Sequence, residues 1–426
     1  MGSTFRAIRG NRNSQLFFSG LLVSNVGTWL QFTAVAIVVD RLTGKATAIG
    51  ILTALQFAPM LFLGAWAGAL SDRLDRRRMA ILTQTGLALQ AFAIAALDFS
   101  GHLTVGAIYV LTAVLGVVSA LDNPARRGFV TELVPEEQIG SAVSLNTAVM
   151  TGSRIFGPAL AAVLIGQAGV ATKWLFLANA ISFAAIIGSL ALLDTASLHR
   201  APRAPKGGTP VRDALRFVRR SPMMLATFIV FTIVATFGFN YTVSLPRISN
   251  EIWGSESWYG WVLTANSFGS MLGSLATASR ERVTIRWMSG MGFALGLAGL
   301  GLAWSPNGTT AMLVAPLLGL GGAGFVAAMN AITQQECPPD MRGRILALTA
   351  VAFLGSYPIG GPITGIVGDT VGLEWSLGYG AIITLVAVGG LVWWALGQRP
   401  QESRFEVLRT LLGSPTAVAP SPSEHP

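Results

Sequence analysis

Long apolar runs broken by short charged connectors set the pattern of this chain. About twelve segments approach the ~20 apolar residues needed to cross a bilayer core. The first six lie near 15–39, 47–70, 79–98, 104–123, 140–165 and 173–193. Six more lie near 223–246, 257–278, 287–304, 310–332, 345–368 and 375–396. Each is expected to be helical, because hydrocarbon offers no partner to a strand edge or an unpaired peptide group. The longest polar interruption, 194–221, contains PRAPKGGTP and reads as a linker. Its VRDALRFVRR run is either an amphipathic helix on the inner leaflet or a solvated connector. The chain then divides into a first six-helix half (1–193), the linker (194–221), a second half (222–397) and a tail (398–426) expected to be disordered.

Composition sharpens this. Hydrophobic residues make up 52% and charged residues 12%, about half the charged share of an ordinary globular protein. The 49 glycines suit closely packed membrane helices. The first residues, MGSTFRAIRGNRNSQ, resemble a signal-peptide charged region, but the apolar run that follows is too long and lacks a small-residue cleavage pattern. It reads as a retained first span. A single cysteine, Cys337, excludes an intramolecular disulfide. No P-loop, metal-ligand cluster or nucleophile–base arrangement is visible, so neither an enzyme nor a cofactor is expected.

The net charge of +9 does not form a nucleic-acid stripe. Arg6, Arg9 and Arg12 precede the first span; Arg73, Arg76, Arg77 and Arg78 follow the second; Arg126 and Arg127 follow the fourth. The linker, the connector holding Arg280, Arg282 and Arg286, the pair Arg342 and Arg344, and the tail supply most of the rest. In a twelve-span arrangement all of these fall on one side, which predicts cytoplasmic N- and C-termini.

The halves echo each other. Glu132, Pro135 and the Gly157-Pro158 pair recur 204 positions later as Glu336, Pro339 and Gly361-Pro362. A shared offset predicts a duplicated six-helix unit and two bundles that rock about a central site.

Between spans two and three, GALSDRLDRRR resembles the signature loop of the major facilitator superfamily. Gly68, Asp72, Arg73, Arg76 and Arg77 match, while Asp75 stands where the family usually has glycine. Asn25-Val-Gly27-Thr28-Trp29-Leu-Gln31, the run Asp122-Asn123-Pro124-Ala125-Arg126 and Glu132-Leu-Val-Pro135 resemble its enterobactin-exporter and macrolide-efflux branch. The resemblance implies a latch at the cytoplasmic face, with Asp72 docking on the helix that starts near Arg344 and Arg76 pairing with Asp122. Gly157-Pro158, with its repeat Gly361-Pro362, resembles a motif of the family's exporters and is expected to shape helix packing. An arginine often found inside span four of the superfamily's proton antiporters is absent.

Arg154 is the one basic residue well inside a span. It either binds an anionic substrate or joins a network with Asp122 and Glu132, and the nearby acids favour the network. No carboxylate occupies the middle of a span, so the proton-coupling candidates are Asp40, whose neighbour Arg41 suggests a plain surface pair, and Asp122. By resemblance, spans one, four, seven and ten line the cavity, through Asn25, Trp29, Gln31, Phe32, Thr112, Phe237, Asn240, Tyr241, Met329 and Asn330. That mixture suits an amphipathic molecule with little fixed charge. The expected protein is thus a monomeric secondary exporter of the bacterial inner membrane, moving a drug-like or siderophore-like compound against protons. A lysophospholipid carrier, an uptake permease and a non-transporting sensor are the alternatives.

Overall fold

The computed structural model describes residues 6–71, 73–199 and 210–397. Among them the chain is helical throughout. The first half contains α1 (Arg12–Thr43), α2 (Ala46–Ser71), α3 (Arg76–Phe99), α4 (Val105–Glu132), α5 (Ile139–Ala161) and α6 (Thr172–Ala191). Then come α7 (Pro210–Arg220), α8 (Pro222–Gly238), α9 (Tyr241–Glu251), α10 (Ser257–Ala278), α11 (Ile285–Ala303) and α12 (Gly308–Glu336). The last three are α13 (Pro339–Leu354), α14 (Tyr357–Thr370) and α15 (Leu373–Gly397).

Side-chain caps set the helix starts. Asn11, Thr104, Thr284 and Asn307 each accept a backbone N–H of the first turn of α1, α4, α11 and α12. Asp75, the departure from the family loop, does the same for α3, accepting the Arg78 N–H at 3.0 Å. Gly44 closes α1 in the left-handed region at φ 57°, and the tight loop starts α2 two residues later.

Among the described residues, eleven helical segments are long and apolar enough to cross a membrane. α10 has the length, but Thr264, Asn266, Ser267, Ser270 and Ser274 make it more polar. It packs between α12 and α5. Two expected spans are broken. The seventh divides into α8 and α9 at Phe239–Asn240, and the eleventh into α13 and α14 at Gly355–Ser356. Large apolar side chains such as Leu82, Leu313, Val386 and Trp393 stand exposed on the outside, as lipid contact requires.

α7 does not lie free. Ala214 and Val218 are buried, and the helix packs on α8 and α13 of the second half. Residues 200–209 and 398–426, the rest of the expected linker and the tail, lie outside the described residues.

In the first half α1 packs on α5 and α6, and α3 and α2 pack on α4; in the second, α12 packs on α10 and α11, and α15 on α8 and α11. The halves meet along two seams, α2 against α14 and α5 against α10. Each seam sets a glycine against a Gly-Pro motif. A Cβ on Gly50 would strike the carbonyl of Gly361 and the Pro362 backbone. A Cβ on Gly260 would strike the carbonyl of Pro158. The repeated Gly-Pro pairs therefore sit at equivalent inter-bundle contacts, while Gly157 itself packs on Trp29 and Leu30 of α1.

Candidate functional site

Three groups of polar residues stand out, one at each end of the bundles and one inside. At the arginine-rich end, Arg76 opens α3 and Glu132 closes the antiparallel α4, so the two meet at 3.0 Å. Asp122 is ten residues back along α4, about 15 Å of helix, and out of reach. The expected Arg76–Asp122 pair is thus replaced by Arg76–Glu132. Asp122 is instead buried, accepting Thr83 Oγ1 at 2.7 Å, Gln84 Nε2 at 2.9 Å and Arg126 Nε at 3.2 Å. Arg126, itself buried, also reaches Asn123 Oδ1 at 3.2 Å. Arg77 donates to the last carbonyls of α6, Leu190 at 2.7 Å and Ala191 at 3.1 Å. That satisfies orphan acceptors at a helix C-terminus, where positive charge is favoured. Arg73 is exposed, and a Cβ on Gly68 would meet open space. Arg344 lies in α13, its Nη1 3.7 Å from Met341 Sδ. Asp72 lies outside the described residues, so its docking on α13 stays a proposal.

Arg154 does not join the Asp122–Arg126 group. Its guanidinium stands over the Trp29 ring at 4.8 Å from the centroid. It lies within electrostatic reach of Tyr241 and Tyr357 in the second half. Tyr357 stacks on Phe57 of α2 at 4.7 Å, and Tyr241 Oη accepts Asn266 Nδ2 at 3.0 Å. The side chain is exposed, and the Trp29 face offsets part of the cost of a charge without an acidic partner. The acids expected to hold it are committed elsewhere.

Inside the first half is a cavity of about 130 Å³. Trp29, Gln31, Phe32 and Thr112 line it as expected from the sequence. So do Gln90 of α3 and Asn179 of α6, which the sequence reading left out. Asn25 turns back to the Leu21 carbonyl of its own helix at 2.9 Å. In the second half Phe237, Asn240 and Tyr241 border a void of only about 20 Å³. Met329 is fully buried in the core, and Asn330 is half-buried beside it. The residues expected to line one central cavity thus fall at two separate cavities, the roomier one inside the first half.

At the arginine-poor end, the bundles are tied together. Asp369 of α14 accepts the Ala46 N–H at 2.8 Å and the Thr47 N–H at 3.0 Å, capping α2 across the seam. Arg247 of α9 pairs with Asp369 at 3.1 Å and with Glu251 at 2.8 Å. Arg41 of α1 makes a two-pronged pair with Glu256 before α10, with its Nε at 2.7 Å from Oε1. The Arg41–Glu256 pair crosses between the bundles at this end, while Arg247–Asp369 lies within the second half and holds the carboxylate that caps α2. Asp40 is buried here and faces Arg247, so it does not form the surface pair with Arg41 that adjacency suggested. The sequence offered only a weak signal for this clamp: an acid at the end of one span and a base at the end of another.

Among the described residues no His, Cys, Asp and Glu cluster could hold a metal ion. The family described as transmembrane secretion effector matches residues 4–406. An uncharacterized MFS-type transporter of Bacillus subtilis is 27% identical over 93% of this chain and 95% of its own. The staphyloferrin A transporter of Staphylococcus aureus is 23% identical over 84% of this chain and 90% of its own. Macrolide efflux protein A of Streptococcus pyogenes is 22% identical over 87% and 93%. Among solved structures, a bacterial homolog of the lysosomal transporter Spinster, inward-facing and unoccupied, superposes with a TM-score of 0.66 at 16% identity, covering 96% of this chain and 99% of that one. The nucleoside transporter NupG gives 0.70 at 14% identity, covering 94% and 100%. At such identities the two structures speak for the fold alone.

Proposed function

The chain belongs to the transmembrane secretion effector family of major facilitator transporters, and from that premise we propose that it is a secondary active exporter. It moves an amphipathic small molecule across a bacterial plasma membrane by alternating access, in exchange for protons. Its arginine-rich end faces the cytoplasm, and the described state is closed to the outside. The observation that supports this reading best is the clamp at the arginine-poor end, where Asp369 caps a helix of the opposite bundle. A fixed structural scaffold has no need of charged ties at one end of two glycine-lined seams. A carrier needs a closure that can be broken.

The relatives' names support export of macrolide-like or siderophore-like compounds. Coupling to protons is carried by the buried Asp40, the carboxylate that lies within the clamp and changes surroundings when it opens. Asp122 is a poorer carrier, since Thr83, Gln84 and Arg126 already hold it.

Proteoliposomes with an imposed pH gradient test the reading. Radiolabelled erythromycin should accumulate several-fold over protein-free liposomes, and a protonophore should abolish the excess. If erythromycin does not move while a fluorescent lysophospholipid crosses without a gradient, the exporter reading fails in favour of the lipid carrier.

A further inference from the structure

We infer that the cavity inside the first bundle recognises an uncharged hydrogen-bond acceptor, such as a carbonyl oxygen, through the side-chain amide of Gln90. The inference rests on the transporter reading and names the chemistry of its ligand.

A row of side chains leads to that amide. Ser182 Oγ donates to the Asn179 backbone carbonyl at 2.7 Å and lies 3.2 Å from Asn179 Oδ1. Asn179 Nδ2 donates to Gln31 Oε1 at 2.8 Å, and Gln31 Nε2 donates to Gln90 Oε1 at 3.2 Å. Gln31 accepts from Asn179 and donates to Gln90, so the row ends in the N–H donor of Gln90. Gln90 is only 4% exposed, lines the cavity, and its Nε2 has no hydrogen-bond partner. Buried donors are almost always matched, so an unmatched one at a cavity wall marks a place for an acceptor. Donors earlier in the row polarise the last, which strengthens the bond it can offer.

The rest of the wall excludes charge. No Asp, Glu, Lys or Arg lines the cavity among the described residues, and Phe32, Leu87, Ile94, Leu115 and Phe183 give it apolar sides. An ion entering would lose its water without a counter-charge. The site thus selects a neutral, largely apolar molecule carrying an acceptor oxygen.

Binding to the purified full-length protein in nanodiscs tests this without any transport step. The probes are the naphthyl ketone dye Prodan and its analogue with the ketone reduced to a methylene. Wild type should bind the ketone about tenfold more tightly, the contribution of one satisfied hydrogen bond. Gln90→Met should bring the ratio to about one while leaving the methylene analogue's affinity unchanged, which also serves as the control for folding. Gln90→Glu, an acceptor when ionised, should also lose the preference. The ketone's emission should shift to the red on wild type and not on Gln90→Met. Equal affinities on wild type, or a preference that survives Gln90→Met, would overturn the inference and leave the donor to a water molecule. Tighter binding of tetraphenylphosphonium than of the ketone would overturn it too. Erythromycin accumulation is scored separately, so the exporter reading can fail while this one stands, and the reverse.

Discussion

Asp369→Ala should spring the arginine-poor end open. The substitution removes the acceptor of two backbone N–H groups at the start of α2, the bonds that cross the seam, and with it an ion pair to Arg247 inside the second half. Hydrogen bonds to a charged acceptor contribute about 1.5–3 kcal/mol each, so closure should weaken by ~2–4 kcal/mol after solvent screening. That shifts the open-to-closed ratio by about 30- to 1000-fold. Arg41→Ala should do far less, because the exposed Arg41–Glu256 pair contributes only ~0–1 kcal/mol. A membrane-impermeant maleimide reads the difference. In a Cys337→Ser background, A46C is shielded beneath Gly365 and Gly368, and Asp369→Ala should raise its labelling rate at least tenfold. Asp369→Asn keeps an oxygen for the α2 N-terminus and should fall between. An unchanged rate with Asp369→Ala would remove Asp369 from the closure.

The second large effect is on stability at the other end. Asp122→Ala strands the buried guanidinium of Arg126 and takes an acceptor from Thr83 and Gln84. Removing one partner of a buried pair costs about 3–5 kcal/mol, whereas replacing both by apolar groups is often nearly neutral. Asp122→Ala should therefore lower the melting temperature in detergent sharply. The double substitution Asp122→Ala with Arg126→Met should recover most of the loss. Asp122→Asn, which still accepts from Thr83, should be milder than Asp122→Ala. If the single and double substitutions melt alike, Asp122 and Arg126 are not coupled, and the pair does not hold α3 and α4 together.

What the sequence made legible was what local pattern carries. Apolar run length placed the helices, and the 204-residue offset located equivalent positions in the two halves. The Gly-Pro pairs pointed to packing, and they sit at the two seams. Asp75 was legible as a departure from a motif, but its reason is a helix cap, which needs the end of α3 to be known. Partner choice was harder. Arg76 takes Glu132 over Asp122 because antiparallel helices match ends with ends, a fact of register that residue types do not carry. Arg154 rests on Trp29, a residue 125 positions away along the chain, so nothing local could announce it. The breaks at Phe239–Asn240 and Gly355–Ser356 do carry local signals, Gly238 with Asn240 and Gly355 with Pro358, but run length alone passed over them. A Cβ on Gly360 would strike the Thr236 carbonyl and the Asn240 side chain.

Gln90 and Asn179 were within reach. An amide in the middle of an apolar span demands a partner, and GLALQAF and LANAISF each hold one. Assigning the lining to the first helix of each repeat passed over them. The cavity instead draws on α3 and α6, because Gln31 of α1 turns inward to meet them.

The account stands on the two bundles moving against each other. Electron–electron resonance between spin labels tests that directly. One pair, at Lys45 and Val371, spans the arginine-poor end; the other, at Glu137 and Ser279, spans the arginine-rich end. Moving from wild type to Asp369→Ala, the Lys45–Val371 distances should gain a longer population while the Glu137–Ser279 distances shorten. A single distribution at both ends, the same in both proteins, would contradict the rocking mechanism.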